Sequence, residues 1–140
     1  MSEQERLQSL VIELRMLEGY FNEVNTRESI LARAIMENRA ALEAIRGFSS
    51  NEVSDLLVPI GGGVFIETSA KPPDKLIVSI GANVMVEKTK DGIINFLEER
   101  IKEIEDAISN LESQKAELAR RIDANRAAIS SIAEKQKKTQ

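Results

Sequence analysis

The side chains able to do chemistry in this chain are carboxylates, lysines and a single tyrosine, because the sequence has no histidine and no cysteine. That composition excludes Ser-His and Cys-His nucleophiles, imidazole and thiolate metal ligands, and the commonest general base. An enzyme would have to rely on a buried carboxylate or lysine in a cleft. We therefore expect a protein that is not an enzyme and that has no cofactor, metal or catalytic site.

Three consecutive glycines, Gly61 to Gly63, are the feature most similar to a nucleotide-binding loop. A phosphate-binding loop continues with Gly-Lys-Ser/Thr and opens a helix, whereas the segment that follows here, Val64 to Thr68, has the alternation of a strand. Turn positions that require a positive φ explain these glycines, and Asn83 is suited to the same conformation. We therefore expect hairpin turns and no phosphate site.

Apolar side chains recur at alternating steps of three and four residues in both halves of the chain. In the first half the repeat positions are Leu7, Leu10, Leu14, Leu17, Phe21, Val24, Glu28, Leu31, Ile35, Asn38, Leu42 and Ile45. In the second half they are Ile94, Leu97, Ile101, Ile104, Ile108, Leu111, Lys115, Leu118, Ile122, Asn125, Ile129 and Ile132. A period of about 3.5 residues sustained this long is typical of left-handed coiled coils.

Helix-boundary signals divide the chain into three parts. Gly47 is suited to the left-handed conformation that ends many helices, and Thr89 and Asp91 are both competent N-caps. The expected parts are an N-terminal coiled-coil helix in residues 1–47, a β-rich insert in 48–88 and a C-terminal coiled-coil helix in 89–140. Because the helices match in length and the insert lies between them, we expect one structural unit, a long antiparallel coiled-coil hairpin.

Counting outward from the insert gives a register for the two helices. Ile45 would lie opposite Ile94, and Leu7 would lie opposite Ile132. This register brings oppositely charged residues to the same flanks: Arg46 and Arg39 near Glu98 and Glu105, and Glu18 towards Arg126. Exposed pairs of this kind contribute only about 0.3 to 0.5 kcal/mol each, so they select the register more than they stabilise the fold.

Four repeat positions are polar. Asn38 and Asn125 are expected to fix the register, as isolated polar core residues do in coiled coils. Glu28 and Lys115 lie about one turn apart in the expected register and are expected to extend to solvent or to pair across the seam. A buried catalytic pair is the alternative, but the sequence offers no cleft and no third group beside it.

The insert reads as four short strands in two hairpins. The expected strands are Leu56 to Ile60, Val64 to Thr68, Leu76 to Ile80 and Val84 to Glu87, with Pro72 and Pro73 between the hairpins. Both faces of each hairpin carry apolar side chains, and isolated hairpins are marginal in water. We therefore expect the insert to oligomerise, with strands from several subunits closing a β-barrel or sandwich. The expected oligomerisation residues are Leu57, Val58, Ile60, Val64, Phe65, Ile66, Leu76, Ile77, Val78, Ile80, Val84, Met85 and Val86.

The sequence of the insert also resembles that of a known family. Residues 57–66 read LVPIGGGVFI and residues 80–88 read IGANVMVEK, and together with the flanking helices they resemble the alpha subunits of archaeal prefoldin. The likeness covers essentially the whole chain, and two hairpins are typical of the alpha class because beta subunits have one. Asn83 departs from the family, which often has glycine in the second turn.

The resemblance implies a fold and a function. It implies an ATP-independent chaperone, a heterohexamer of two alpha and four beta subunits with six coiled coils extending from a double β-barrel. It further implies the capture of unfolded client proteins and their transfer to a group II chaperonin. If the coiled-coil tips separate, the apolar residues exposed far from the insert, and so the expected client-binding residues, are Leu7, Leu10, Val11, Leu14, Ile122, Ile129 and Ile132.

Other partners and locations are disfavoured by charge and hydropathy. The net charge is -4, and the basic cluster of Lys135, Lys137 and Lys138 lies at a helix end, where it suits the helix dipole, so we expect no nucleic acid. No segment approaches the roughly 20 apolar residues that cross a bilayer, and the first residues are unlike a signal peptide. We expect a cytoplasmic protein that binds no membrane.

Two other functions share this layout. A structural tether or scaffold would multimerise through the β insert, use the coiled coils as spacers and have no affinity for unfolded chains. The hinge and arms of a chromosome-organising ATPase have a similar order of elements, but that function needs ATPase ends, which these 140 residues do not include.

Overall fold

The computed structural model describes residues 2–48, 54–71 and 75–139. In chain order they form helix α1 (Glu3–Gly47), strands β1 (Ser54–Gly61), β2 (Val64–Ala70), β3 (Lys75–Gly81) and β4 (Val84–Thr89), and helix α2 (Lys90–Lys138). The α+β order of helix, two hairpins and helix is confirmed. Pro72 and Pro73, expected between the hairpins, lie outside the described residues.

Both helices begin at capping side chains. Ser2 Oγ accepts a hydrogen bond from the Glu5 amide at 3.2 Å, and Thr89 Oγ1 accepts one from the Gly92 amide at 3.1 Å. Thr89, rather than Asp91, is therefore the N-cap of α2. The end of α1 differs from expectation. Gly47 does not take a positive φ, and a short-range bond of 3.2 Å from the Phe48 amide to the Ile45 carbonyl closes the last turn instead.

The chain divides into two compact units, one of Met1–Ala34 with Ile104–Gln140 and the other of Ile35–Glu103. In the first unit, Lys115 Nζ lies 3.0 Å from Glu28 Oε2, and an Arg126 Nη atom lies 2.9 Å from Glu18 Oε1. Moving towards the start of α1 therefore means moving towards the end of α2, which shows that the two helical segments are antiparallel. The expected pairing of Glu28 with Lys115 is confirmed.

Apart from Ile93, the core of each unit lies on the predicted repeat positions. All positions of the two series are buried or half-buried. The fully buried apolar side chains of the first unit are Leu17, Val24, Leu111, Ile122 and Ile132, and those of the second are Ile35, Leu42, Ile93, Leu97 and Ile101. Burying a side chain of this size contributes about 1.5 to 3 kcal/mol, so the seam between the helices is the main source of stability in each unit.

The ion pairs expected from the predicted register are found. In the first unit Glu18 meets Arg126, and Glu28 meets Lys115, which lies about one turn away in the series. In the second unit Arg46 meets Glu98. The predicted register is confirmed at these pairs.

The core of the second unit extends beyond the predicted series at its insert end. Ile93 is only 3% exposed and Phe48 is half-buried. Lys90 Nζ donates to the Phe48 carbonyl at 2.9 Å and ties the end of α1 to the start of α2. The predicted series, which ended at Ile45 and Ile94, did not include these residues.

The Glu28–Lys115 pair gives a test of the register. Its side chains are 22% and 36% exposed, so Lys115→Leu leaves a largely covered carboxylate without its partner. We expect that variant to lose about 1 to 3 kcal/mol in free energy of unfolding, and Glu28→Leu with Lys115→Leu to match or exceed the wild type. Urea unfolding followed by circular dichroism measures both.

The surface pair Arg27–Glu23, with side chains 62% and 57% exposed, is the matched control. Its double-mutant cycle should give a coupling energy below about 0.5 kcal/mol. Purely additive effects at Glu28 and Lys115 would show that the two residues do not meet in solution.

Candidate assembly surface and distal arm

The first hairpin is an antiparallel ladder whose two faces are both apolar and both exposed. Val58 pairs with Ile66, and on the opposite face Pro59 pairs with Phe65. These side chains are 42% exposed for Val58, 51% for Ile66 and 56% for Phe65. The strands described pair on one side only, in two separate two-stranded sheets, so each has a free edge and no barrel is closed by them. Pro59 thus lies in an edge strand, where its missing amide costs no ladder bond.

The second hairpin has one covered face and one open face. The cross-strand pair Val78 and Val86 is half-buried, whereas Ile77 and Met85 on the other face are 67% and 66% exposed. Of the residues predicted to mediate oligomerisation, those that are exposed in the single chain are Leu57, Val58, Ile60, Val64, Phe65, Ile66, Ile77, Ile80, Val84 and Met85. Those that are half-buried are Leu76, Val78 and Val86.

Both hairpins turn through residues with a positive φ. The central residues are Gly62 and Gly63 in the first turn (φ 60 and 76) and Ala82 and Asn83 in the second (φ 50 and 62). Two such residues in succession form the turn whose twist matches paired strands. The expected conformation of Asn83 is confirmed. The glycine run is therefore a tight reversal between strands.

The second hairpin is anchored on α2 by a cation–aromatic cluster within the second unit. The Arg100 guanidinium lies 4.5 Å from the centre of the Phe96 ring, and Lys88 Nζ lies 5.6 Å from it. An Arg100 Nη atom also lies 3.5 Å from the Ser79 carbonyl of β3. Cation–π contacts at exposed sites contribute about 0.5 to 1 kcal/mol each. The cluster thus fixes the hairpin to the helix, while Ile77 and Met85 remain exposed.

The predicted client-binding residues lie at the other end of the helices, in the first unit. We call residues 2–18 together with residues 126–139 the distal arm. Of the predicted residues, those that are half-buried are Leu7, Leu10, Val11, Leu14 and Ile129. Ile132 is 6% exposed and Ile122, just outside the distal arm, is 7% exposed, so the closed coiled coil covers both. Ile12 and Met16 add apolar side chains that are 60% and 54% exposed.

No arrangement of side chains in residues 2–48, 54–71 and 75–139 brings together three or more potential metal ligands of the His, Cys, Asp or Glu type. The helices of the described part of the chain contain no apolar stretch long enough to span a membrane. The described hairpins present exposed apolar side chains and free strand edges.

Comparison with known families agrees with this architecture. The family model described as "Prefoldin subunit" matches residues 17–135, which is most of the chain. The chain belongs to the prefoldin family. Prefoldins are molecular chaperones, and prefoldin subunits assemble with other prefoldin subunits.

Several relatives carry the name prefoldin subunit alpha. The protein from Nitrosopumilus maritimus is 40% identical over 129 residues, which cover 92% of this chain and 89% of the relative. The protein from Pyrococcus horikoshii is 30% identical over 135 residues, covering 95% and 91%. The recognised likeness to alpha subunits is confirmed by these matches.

Two solved prefoldin structures share the fold. The crystal structure of the prefoldin beta subunit from Thermococcus strain KS-1 superposes with a TM-score of 0.63 at 18% identity, covering 90% of each chain. The cryo-EM structure of filamentous PFD from Methanocaldococcus jannaschii gives 0.52 at 22% identity, covering 89% of this chain and 98% of that one. At these identities the likeness confirms the fold class.

Sequence reasoning missed the residues that position the second hairpin. Phe96 and Arg100 are four residues apart on α2, the spacing at which side chains meet on a helix, and this was the available signal. Their contact with Lys88 and with the Ser79 carbonyl depends on where β3 and β4 pack, which no local pattern specifies.

A charge placed on the open hairpin faces should block assembly. Phe65→Lys with Ile77→Lys places cations at positions that are 56% and 67% exposed in one chain and that a neighbouring subunit would have to desolvate. We expect the assembled species to fall to single chains in sedimentation velocity, with helix content unchanged because neither residue is in the helical seam.

Ile30→Lys is the matched control, because Ile30 is equally exposed at 63% but lies on α1. It should assemble normally. If the variant with both hairpin substitutions still assembles, these strand faces are not part of the interface.

Proposed function

We propose that this chain is the alpha-type subunit of an ATP-independent chaperone, which captures non-native proteins with the apolar residues of its distal arm and delivers them to a group II chaperonin. The coarse part, a prefoldin-family chaperone subunit, follows from the family match. The finer part rests on the distribution of apolar surface. The proposal assigns the chain no catalytic activity, no cofactor and no nucleic-acid or membrane binding, and it places the chain in the cytoplasm.

The observation that carries the proposal is the insert, whose apolar side chains remain exposed on both faces of the first hairpin and on the open face of the second. A hairpin of two strands does not cover such faces by itself, and its free edges are templates for further strands. Strands of neighbouring subunits would cover both. The assembly we propose is a barrel platform of two alpha with four beta subunits, which holds several distal arms near one another.

Several arms on one platform suit the capture of unfolded chains. Each apolar side chain that buries itself against a client contributes about 1.5 to 3 kcal/mol when burial is complete, and linked weak sites reach high avidity. Contacts of this kind have no directional requirement, so they fit clients of many sequences. The end of a coiled coil is also its least stable part, which favours reversible exposure.

The structural tether remains the second candidate, and one observation favours it. Ile122 and Ile132 are buried in the helical seam, as they would be if their function were to hold the coiled coil closed. A tether of this kind assembles through the insert but does not bind unfolded chains. The two functions therefore differ in client binding and agree on assembly.

The native mass of the chain, recovered from its own cells together with its partners, tests the assembly. We expect a hexamer that contains a second, smaller coiled-coil subunit, because two-faced apolar hairpins need covering from several sides. Native mass spectrometry gives the stoichiometry directly. A homodimer without a second subunit would favour the tether.

Serine substitutions in the distal arm test client capture. Replacing Leu7, Leu10, Ile129 and Ile132 with serine removes apolar surface from the arm without touching the insert. We expect the assembly to keep its mass and to lose its suppression of insulin aggregation, followed by light scattering after reduction. Because the chain has no cysteine, the reductant leaves it unchanged.

The control carries Ile30→Ser and Met36→Ser, which remove exposed apolar side chains (63% and 70%) outside the distal arm. It should suppress aggregation as the wild type does. Suppression that persists in the fourfold distal variant would contradict capture by this arm.

A further inference from the structure

Client capture, as proposed above, requires the distal arm to open. Ile132 is 6% exposed and its neighbours on the seam are half-buried, so a client cannot reach the apolar stripe while α1 and α2 are in contact there. The question is therefore where along the arm the two helices part. Two features of the first unit mark the same short stretch of the arm.

The first feature is Asn125, which lies in the seam of α2 with 6% exposure. Its Oδ1 atom is buried and has no hydrogen-bond partner among the described residues. A buried acceptor left in this state destabilises the closed form, and the penalty is relieved once the helices part and the atom is hydrated. Asn38, the other asparagine of the repeat, is half-buried and does have an interaction partner.

The second feature is Gly19 on α1. It is exposed, and a Cβ added there would meet nothing within 4 Å, so packing does not require a glycine. Inside a helix, glycine lowers stability by up to about 1 kcal/mol relative to alanine, which corresponds to a factor of about 5. The helix is therefore weakened at a position where nothing is gained in packing.

Two ion pairs place these features in one short stretch of the arm. Glu18 precedes Gly19, Arg126 follows Asn125, and the side chains of Glu18 and Arg126 meet at 2.9 Å. The pair is 42% and 59% exposed, so it holds the closed form only weakly. Arg121, 3.6 Å from Glu13, makes a second exposed contact that crosses the first, so Gly19 and Asn125 are near each other along the arm without lying directly opposite each other.

We infer that Gly19 and Asn125 form the hinge from which the distal arm opens, and that their types set how often the client-binding stripe is exposed. The stripe beyond this hinge includes Leu10, Leu14, Ile129 and Ile132. This inference rests on the proposed client capture and specifies its regulation.

The test uses three changes at the hinge in the full-length chain in its native assembly. Asn125→Leu removes the orphan acceptor and Gly19→Ala strengthens the helix, so both favour the closed arm. Asn125→Asp places a charge in the seam and favours opening. Hydrogen exchange of residues 2–18 and 126–139 reports the open population, and fluorescence anisotropy with reduced, carboxymethylated α-lactalbumin reports client affinity.

We expect exchange in the distal arm to slow by about 10-fold in Asn125→Leu and about 5-fold in Gly19→Ala, with the Kd for the unfolded probe rising by similar factors. Asn125→Asp should shift both in the opposite direction. Asn125→Gln keeps an amide and should remain within about twofold of the wild type. A purely structural role would change thermal stability without this parallel change in exchange and affinity.

Asn38→Leu and Gly47→Ala are the matched controls, one asparagine of the repeat and one exposed helical glycine, both in the other compact unit. Neither should change distal exchange or probe affinity.

The outcomes separate the two proposals. A wild-type assembly that does not bind the probe contradicts client capture itself. A wild type that binds, with Asn125→Leu and Gly19→Ala slowing exchange but leaving the Kd unchanged, contradicts the hinge alone. Unchanged exchange in both variants also overturns the hinge. If Asn125→Leu assembles poorly, Gly19→Ala alone provides this test.

Discussion

Burial of apolar side chains between α1 and α2, at alternating steps of three and four residues, governs what the rest of the chain can present to a partner. Within each compact unit the apolar stripes of the two helices are buried against each other, and this packing sets which residues face each other. Once Glu28 meets Lys115, the positions of all nearby side chains on the two helices follow. The seam does not cover the apolar side chains of the insert. At Asn125 it buries an oxygen that has no hydrogen-bond partner among the described residues.

Repeat positions, strand positions and turn residues were predictable because each depends on a local period. The repeat positions are all at least half-buried, and Asn83 takes the positive φ expected of it. The register was also predictable, since Arg46 meets Glu98 and Glu18 meets Arg126 as expected, whereas the burial of Phe48 and Ile93 was not indicated by the repeat. Local chemistry indicated a left-handed residue at Gly47, but the chain continued in a helical conformation and tightened its last turn.

The candidate sites were predictable to different degrees. An exposed apolar hairpin face can be read from alternation, so Ile77 and Met85 were found, whereas the contacts of Phe96 depend on packing between elements distant in sequence. The state of Asn125 Oδ1 was also hidden, since an asparagine that fixes a register and one that weakens a seam look the same in a sequence. Which of the two roles a seam asparagine has depends on whether a hydrogen-bonding group lies within reach of its side chain.

The absence of histidine and cysteine leaves a chain whose interactions are apolar contacts, strand edges and weak surface ion pairs. Such contacts are broad in specificity and reversible. The two apolar surfaces lie in different parts of the chain: the hairpin side chains are exposed in the single chain, whereas Ile132 of the distal arm is covered. In the proposed function the first surface serves assembly and the second is exposed to clients only when the arm opens.

The junction between β4 and α2 has a geometric consequence of its own. β4 ends at Thr89 and α2 begins at Lys90, so no loop residue separates them. Each residue added to a helix turns it by about 100° and advances it by about 1.5 Å. An insertion of one residue at this point would therefore rotate the seam of α2 away from α1 while the cluster around Phe96 held the hairpin in place. The direct junction therefore sets which face of α2 is turned towards α1 within the second unit.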